Sequence, residues 1–298
     1  MKDNDFRIGF LTVFFSYVMW AFLSIFWGLL SHVNSLYILT QRIIWSMVFM
    51  AVYLTVRKKW SSVLSAIKDR KVLRLCFVCG ILITINWGVY IYAVTNGHVL
   101  DASMGYFLEP IVVAAIGLLL FKEKLSTCEK ITFCFAVVGL LWLMISNGTF
   151  PWLSLIISVS FSIYGAAKKK LVLSADASLF LETLCMTPFA ILAALWMNSH
   201  GMGRIGLLPG ASYLLLPLCG IVTSVPLLLF NIGVKKIPYY LTGILMYINP
   251  SIQFLLGLFY FHEAMDRNRL IAFLFIWIGI LFTVYENAKK ARASKTAA

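Results

Sequence analysis

Arg42, Glu109, Asn249 and Gln253 are charged or amide side chains set inside long apolar runs. In such surroundings a polar group is costly and usually serves a function. An arginine offers a permanent charge and a flat fork of donors, a glutamate can hold or release a proton, and amides orient a ligand through hydrogen bonds. Thr242, Met246, Asn249 and Gln253 recur at spacings of 4, 3 and 4, which is one face of a helix. Two amides on one face either bond to neighbouring helices or line a cavity, and the cavity is preferred here. A guanidinium left in hydrocarbon costs at least about 2.5–3.5 kcal/mol, so Arg42 is expected to face inward rather than snorkel to the surface. Glu109, about two turns from the same side, is its expected partner. Such a pair is either structural glue or a charge relay.

Aromatic residues accompany these groups. Trp20 (with Ser16, Ser24 and Trp27) and Asn86-Trp87 (with Tyr90) lie deep in apolar runs, and could wall an amphipathic pocket or simply pack. Glu182 stands near the start of an apolar run, where a carboxylate suits a helix N-terminus. Glu123 and Glu263 end their runs, where capping and ion pairing are expected.

The elements that must position these residues are legible in the composition. The chain is 61% hydrophobic and 12% charged, with a mean hydropathy of +0.90. Ten apolar stretches stand out, at about 8–30, 36–56, 72–95, 102–121, 129–146, 151–167, 178–198, 211–233, 241–261 and 270–286. Most exceed the roughly 18 residues needed to cross about 30 Å of hydrocarbon. Each is expected to be a helix, since lipid leaves no partner for an unpaired backbone group. The first reads as a retained signal anchor. Segment 57–71 reads as a basic, amphipathic surface element.

With the N-terminus inside, twenty of the 25 Lys and Arg residues fall in cytoplasmic segments and three in the opposite loops, which predicts both termini inside. The net charge of +13 is thus a topology signal rather than a sign of nucleic-acid binding. The expected partners are the lipid bilayer and a small-molecule substrate, and a homodimer is left open.

The segment Phe107-Leu-Glu-Pro110…Gly117-Leu-Leu-Leu-Phe121-Lys-Glu123 returns 140 residues later as Tyr247-Ile-Asn-Pro250…Gly257-Leu-Phe-Tyr-Phe261-His-Glu263. The register holds through Phe133/Phe273, Gly139/Gly279 and Leu141/Leu281. Two homologous halves with an odd number of crossings each must be inverted relative to one another, an arrangement suited to presenting one site to two sides of a membrane. The halves are residues 1–147 and 148–298, forming one membrane domain. Pro110 and Pro250 occupy equivalent positions beside Glu109 and Asn249. Together with Pro226 they are candidate hinges, while Pro188 and Pro217 also interrupt apolar runs.

Other motifs carry less. Cys76-x-x-Cys79 begins an apolar run with no second pair nearby, and reads as two small residues one turn apart. Gly201-Met-Gly203-Arg-Ile-Gly206 fits GxGxxG but follows no strand. No Walker A motif occurs, and His32, His98, His200 and His262 all fall in external loops. No cofactor or metal is expected.

Several stretches carry a family resemblance: Ile38-Leu-Thr-Gln-Arg-Ile-Ile-Trp-Ser46, Asn86-Trp87, Asp101-Ala-Ser-Met-Gly-Tyr-Phe107, Tyr164-Gly165 before Lys168-Lys-Lys170, Leu181-Glu-Thr183, Gly220-Ile-Val-Thr-Ser-Val-Pro-Leu-Leu228 and Phe275-Ile-Trp277. Over essentially its full length the chain resembles the RarD family of EamA-type drug/metabolite transporters. The resemblance implies ten helices in two inverted five-helix repeats, an inner-membrane location and secondary transport. Arg42, Asn86, Trp87, Tyr106, Thr223 and Pro226 sit at matching motif positions. The chain departs from the family pattern at Ser24, Gly28, Tyr37, Gln41 and Glu109, among the expected cavity positions. Substrates of other members therefore do not transfer directly.

The expectation is an all-helical secondary transporter, not an enzyme, that exports small amphipathic metabolites or drugs by alternating access. Arg42 would anchor a polar or anionic group, and Asn249 and Gln253 would orient it. Trp20, Trp87, Tyr90 and Tyr164 would supply aromatic walls, with Asn86, Tyr106 and Thr223 beside them, and Glu109 would carry a coupling proton. A lipid scramblase or membrane assembly partner is the alternative. An intramembrane enzyme is disfavoured because no histidine lies within the apolar runs.

Overall fold

The computed structural model describes residues 3–30, 33–95, 99–147, 152–202, 214–260 and 267–296. His32, His98, Thr149, His262, Glu263, residues 203–206 of the glycine motif and the side chain of Gln253 lie outside what is described. Among the described residues every regular element is a helix. In chain order they are α1 (Asp3–Gly28), α2 (Ser35–Val56), α3 (Trp60–Lys68), α4 (Arg70–Thr95), α5 (Val99–Phe121), α6 (Thr127–Asn147), α7 (Trp152–Lys170), α8 (Ala175–Ser199), α9 (Leu215–Gly233), α10 (Tyr239–Met246), α11 (Ile248–Phe259) and α12 (Arg267–Thr296).

Six of these, α1, α2, α4, α6, α8 and α9, are long and apolar enough to cross a membrane, and shorter apolar stretches occupy Leu108–Phe121 and Leu270–Thr283. The bundle is apolar outside and polar-flecked inside. Leu119 is 82% and Ile145 79% exposed, whereas Ser16, Ser162, Lys168, Asn231 and Thr242 are wholly buried. A surface covered this way suits lipid rather than water.

One apolar stretch departs from expectation. Residues 241–261 do not form a single rod: α10 ends at Met246 and α11 starts at Ile248. Pro250 has no N–H to give the Met246 carbonyl, so the ladder fails there, and the amide of Tyr247 turns back to the Ile244 carbonyl at 3.3 Å. Pro110, at the equivalent repeat position, is accommodated within an unbroken α5, as Pro226 is within α9.

Segment 57–71 contains α3, which buries Val63 and Ala66 and exposes Leu64, Ile67 and Lys68. Lys58 takes a left-handed conformation (φ 52°) to turn the chain from α2 into it.

Glycines set the closest helix approaches. α6 and α12 pack through Gly139 and Gly279, where an added Cβ would meet the Ala272 carbonyl at 3.0 Å and the Thr132 carbonyl at 3.1 Å. Thr132 seals the contact by donating to the Gly279 carbonyl at 2.6 Å. Gly220 lets α9 lie on the Trp45–Ser46 backbone of α2. Glu123, after Lys122 in the left-handed region (φ 53°), accepts from the amides of Tyr239 and Tyr240 at 2.7 and 2.9 Å, capping α10. The boundary role expected of this carboxylate is the one it has.

The face carrying residue 5 is tied by polar contacts. Lys59 pairs with Asp176 at 2.7 Å, Lys236 with Asp5, and Lys169 with Glu123 at 3.7 Å. A central cavity lies further along: its α1 residues, Tyr17 to Trp27, are roughly 18–33 Å from Asp5 at 1.5 Å per residue.

Candidate functional site

A cavity opens among α1, α2, α4, α5, α7, α10 and α11. Eight of the eleven expected substrate-site residues line it: Trp20, Arg42, Asn86, Trp87, Tyr90, Tyr106, Glu109 and Asn249. They come from five helices and span more than 200 positions of sequence.

Arg42 is held from three sides. The side chain of Asn34 caps α2 by accepting from the Leu36 amide at 3.0 Å, which starts the helix so that Arg42 falls two turns inside. Only 7% exposed, it donates from Nε to Thr223 Oγ1 at 3.2 Å. Its guanidinium carbon lies 4.6 Å from the Trp27 ring centre and 4.3 Å from that of Trp87. Desolvated cation–π contacts of this kind are worth about 2 kcal/mol each. Arg42 therefore points inward, as expected, but its expected ion pair with Glu109 is not formed: both line the cavity, and no salt bridge joins them. The two indoles and Thr223 hold the guanidinium instead. Thr223 thus acts on the site through Arg42 and is not itself on the cavity wall.

Asn86 lashes α4 to α7, donating from Nδ2 to the Ile157 carbonyl at 2.8 Å and to Ser160 Oγ at 3.2 Å. Tyr90 and Tyr106 meet edge to face at 5.8 Å. Towards the face carrying residue 5 an aromatic layer closes the cavity. Trp20 contacts Tyr17 at 5.5 Å, Phe161 at 5.6 Å and Phe230 at 5.8 Å between ring centres.

Tyr164 lies beyond this layer and is not a cavity wall. Wholly buried, it stacks on Phe230, and its hydroxyl lies 3.2 Å from both Glu182 Oε2 and Asn231 Oδ1. Glu182 in turn pairs with Lys168 at 2.5 Å, with both side chains essentially inaccessible, and Lys168 also donates to Ser178 Oγ. The helix-capping role expected of Glu182 is replaced by this buried pair: α8 begins seven residues earlier, at Ala175, which carries Glu182 past the first turn and into the packed junction with α7. Beside it, outside the helices, Lys235 donates to the carbonyls of Leu171 and Leu173. Burial, with the Lys168 charge nearby, lowers the Lys235 ammonium to about 8.

Sequence reasoning left Tyr17, Leu23 and Phe161 out of the wall and did not see Trp27 as a clamp on Arg42. The seven-residue spacing groups Trp27 with Trp20 on one face of α1, as expected, but carries no sign of the cation it meets. Lys168 was hidden in a run of three lysines that looked cytoplasmic. Among the described residues no set of His, Cys, Asp or Glu is arranged to hold a metal ion.

Comparisons with known proteins agree with this picture. The family model of the EamA-like transporter family matches residues 7–145 and again 150–285. The chain is 36% identical to the uncharacterized transporter YojE of Bacillus subtilis (strain 168), covering 99% of this chain and 100% of that protein. It is 34% identical to protein RarD of Streptomyces exfoliatus (98% and 93% covered) and 30% identical to protein RarD of Escherichia coli K12 (96% and 97%). A solved crystal structure shares the fold, with a TM-score of 0.73 at 15% identity over 97% of this chain and 99% of that one. With apolar helices long enough for a bilayer and a family match along nearly its whole length, this multi-pass membrane protein belongs to the EamA-like transporter family.

Proposed function

We propose that this protein is a secondary transporter that exports small amphipathic metabolites or drugs across the inner membrane by alternating access. The observation that carries the reading is the central cavity. It combines an inward-facing cation, a carboxyl with no ion pair among the described residues and aromatic walls inside a bundle whose outside is apolar. Substrate would bind with its anionic or polar group on Arg42 and its ring among Trp20, Trp87 and Tyr90. Asn249 supplies an orienting amide.

The ten apolar stretches then count as ten crossings, with α10 and α11 sharing one and α3 lying on the surface. Both termini are cytoplasmic on the charge distribution. The halves 1–147 and 148–298 act as inverted repeats. The twofold match of one family model and the Gly139–Gly279 pairing of α6 with α12 support the duplication. The break at Pro250 puts a flexible joint beside Asn249, while Pro110 and Pro226 each remove a backbone donor inside α5 and α9, where those helices would hinge.

Glu109 is the coupling residue in this reading. It is 5% exposed, lines the cavity and has no ion-pair partner among the described residues, so a proton and a substrate can alternate there. A thermal-shift screen against metabolites and antibiotics identifies a ligand, and counterflow of that ligand into proteoliposomes tests transport. Counterflow should occur and be driven by a pH gradient. A Glu109→Gln protein that keeps its full dependence on that gradient refutes proton coupling, and binding without counterflow refutes transport.

A further inference from the structure

The corner between α2 and α4 holds two features that neither the cavity nor the helix packing uses. Arg57, Lys58, Lys68, Arg70 and Lys71 are all exposed, and none forms an ion pair among the described residues. Beside them Val56, Leu64 and Ile67 are 74%, 59% and 45% exposed. The single carboxylate of residues 57–71, Asp69, is already engaged. It accepts from the amides of Lys71 and Val72 at 2.9 and 3.3 Å, at the start of α4.

Helix geometry sorts these groups. Trp60, Leu64 and Ile67 recur at spacings of 4 and 3, which is one face of α3, and Lys68 stands beside them one turn after Leu64. Val63 and Ala66 take the adjoining face into the bundle. The Trp60 indole fixes the rotation of the helix, donating to Thr55 Oγ1 at 3.0 Å and meeting Phe180 edge to face at 5.1 Å. α3 joins two helices that are each long and apolar enough to cross a membrane, which places it at the bilayer boundary. There the apolar edge has acyl chains to enter and the cations have headgroups to meet. A helix facing only water would gain nothing by exposing Leu64 and Ile67, and a soluble polyanion would leave that edge uncovered.

We infer that α3 and its flanks form a docking site for anionic phospholipids. Acyl chains lie against Leu64 and Ile67, and headgroup phosphates meet Arg57 and Lys58 at one end and Lys68, Arg70 and Lys71 at the other. Lys59 bonds Asp176 and Trp60 reaches Phe180, so a lipid held here also supports the contact of α3 with α8 and stabilises the folded protein.

Thermal unfolding of the purified full-length protein in mixed micelles tests this, as dioleoyl phosphatidylglycerol replaces dioleoyl phosphatidylcholine. The midpoint should rise with the anionic lipid and stay level with the neutral one. Each cation near a lipid surface is worth about fivefold in attraction to anionic lipid. Lys68→Gln, Arg70→Gln and Lys71→Gln together should therefore raise the lipid needed for half the effect by about a hundredfold. Arg7→Gln, Lys124→Gln and Lys130→Gln together, which neutralise exposed cations elsewhere, should leave the response close to the parent's. Equal midpoints in the two lipids, an unmoved response in the α3 variant, an equal loss in both variants or an equal rise with inorganic phosphate would each overturn the site. Where the α3 variant is unstable in neutral lipid, Lys68→Arg with Arg70→Lys and Lys71→Arg decides: a response kept in full supports the site, and a lost response overturns it.

Discussion

The buried pair Lys168–Glu182 provides the sharpest test of the fold. At 2.5 Å and an effective dielectric near 20, the attraction is about 7 kcal/mol, while withdrawing each ion from water costs several kcal/mol. The two nearly cancel, so the pair as a whole contributes little net stability. Removing one partner leaves the other charged and inaccessible, which costs about 3–5 kcal/mol. Lys168→Met and Glu182→Gln should each lose that amount. The double replacement Lys168→Met with Glu182→Met should lie within about 1 kcal/mol of the parent, because neighbouring polar groups keep partners. Ser178 retains the Ala175 carbonyl at 3.2 Å, and Tyr164 retains Asn231 at 3.2 Å. Reversible unfolding in mixed micelles, titrated with a denaturing detergent, measures all three proteins on one scale. Single variants as stable as the parent, or a double variant as damaged as the sum of the singles, would refute the reasoning.

Trp27→Leu removes one face of the clamp on Arg42. It should cost about 0.5–2 kcal/mol in the same unfolding assay, and Thr223→Val should add to it less than additively because both act on one guanidinium. Gly139→Leu drives a side chain into the Ala272 carbonyl across the α6–α12 contact; a loss of about 1–3 kcal/mol is expected, and an unchanged midpoint would show that these helices do not meet there. Lys235, held near 8 rather than 10.5, should react with a water-soluble acylating reagent along a pH profile centred near 8, because only the neutral amine is nucleophilic. Mass spectrometry after brief labelling reads it, and a profile still rising at pH 10 would contradict the described environment.

Much of this was legible in the chain. The apolar runs marked the helices because lipid leaves a backbone no alternative to internal pairing. Arg42 inward followed from the same cost applied to one side chain, and the 4-3-4 face brought Met246 and Asn249 to one wall. The Arg42–Glu109 pair failed because depth in the membrane says how far along a helix a residue lies but not which neighbour it meets. Tyr164 was misplaced for a related reason: an aromatic in an apolar run does not say which helix it faces, and here it falls behind Phe161 and Phe230. Glu182 looked like a cap because helix starts are uncertain by a few residues, and here that margin separates a helix end from a packed junction.

What the sequence determined by itself is the solvent of this protein, its helical content, its internal duplication and its membership among transporters, all of which are written in local hydropathy and self-similarity. What only the tertiary structure decided is which side chains meet. The two indoles around Arg42 and the Lys168–Glu182 pair each join residues brought together by helix packing rather than by local sequence. Helix rotation and glycine-set approach distances bring such groups together, and neither leaves a periodic trace along the chain.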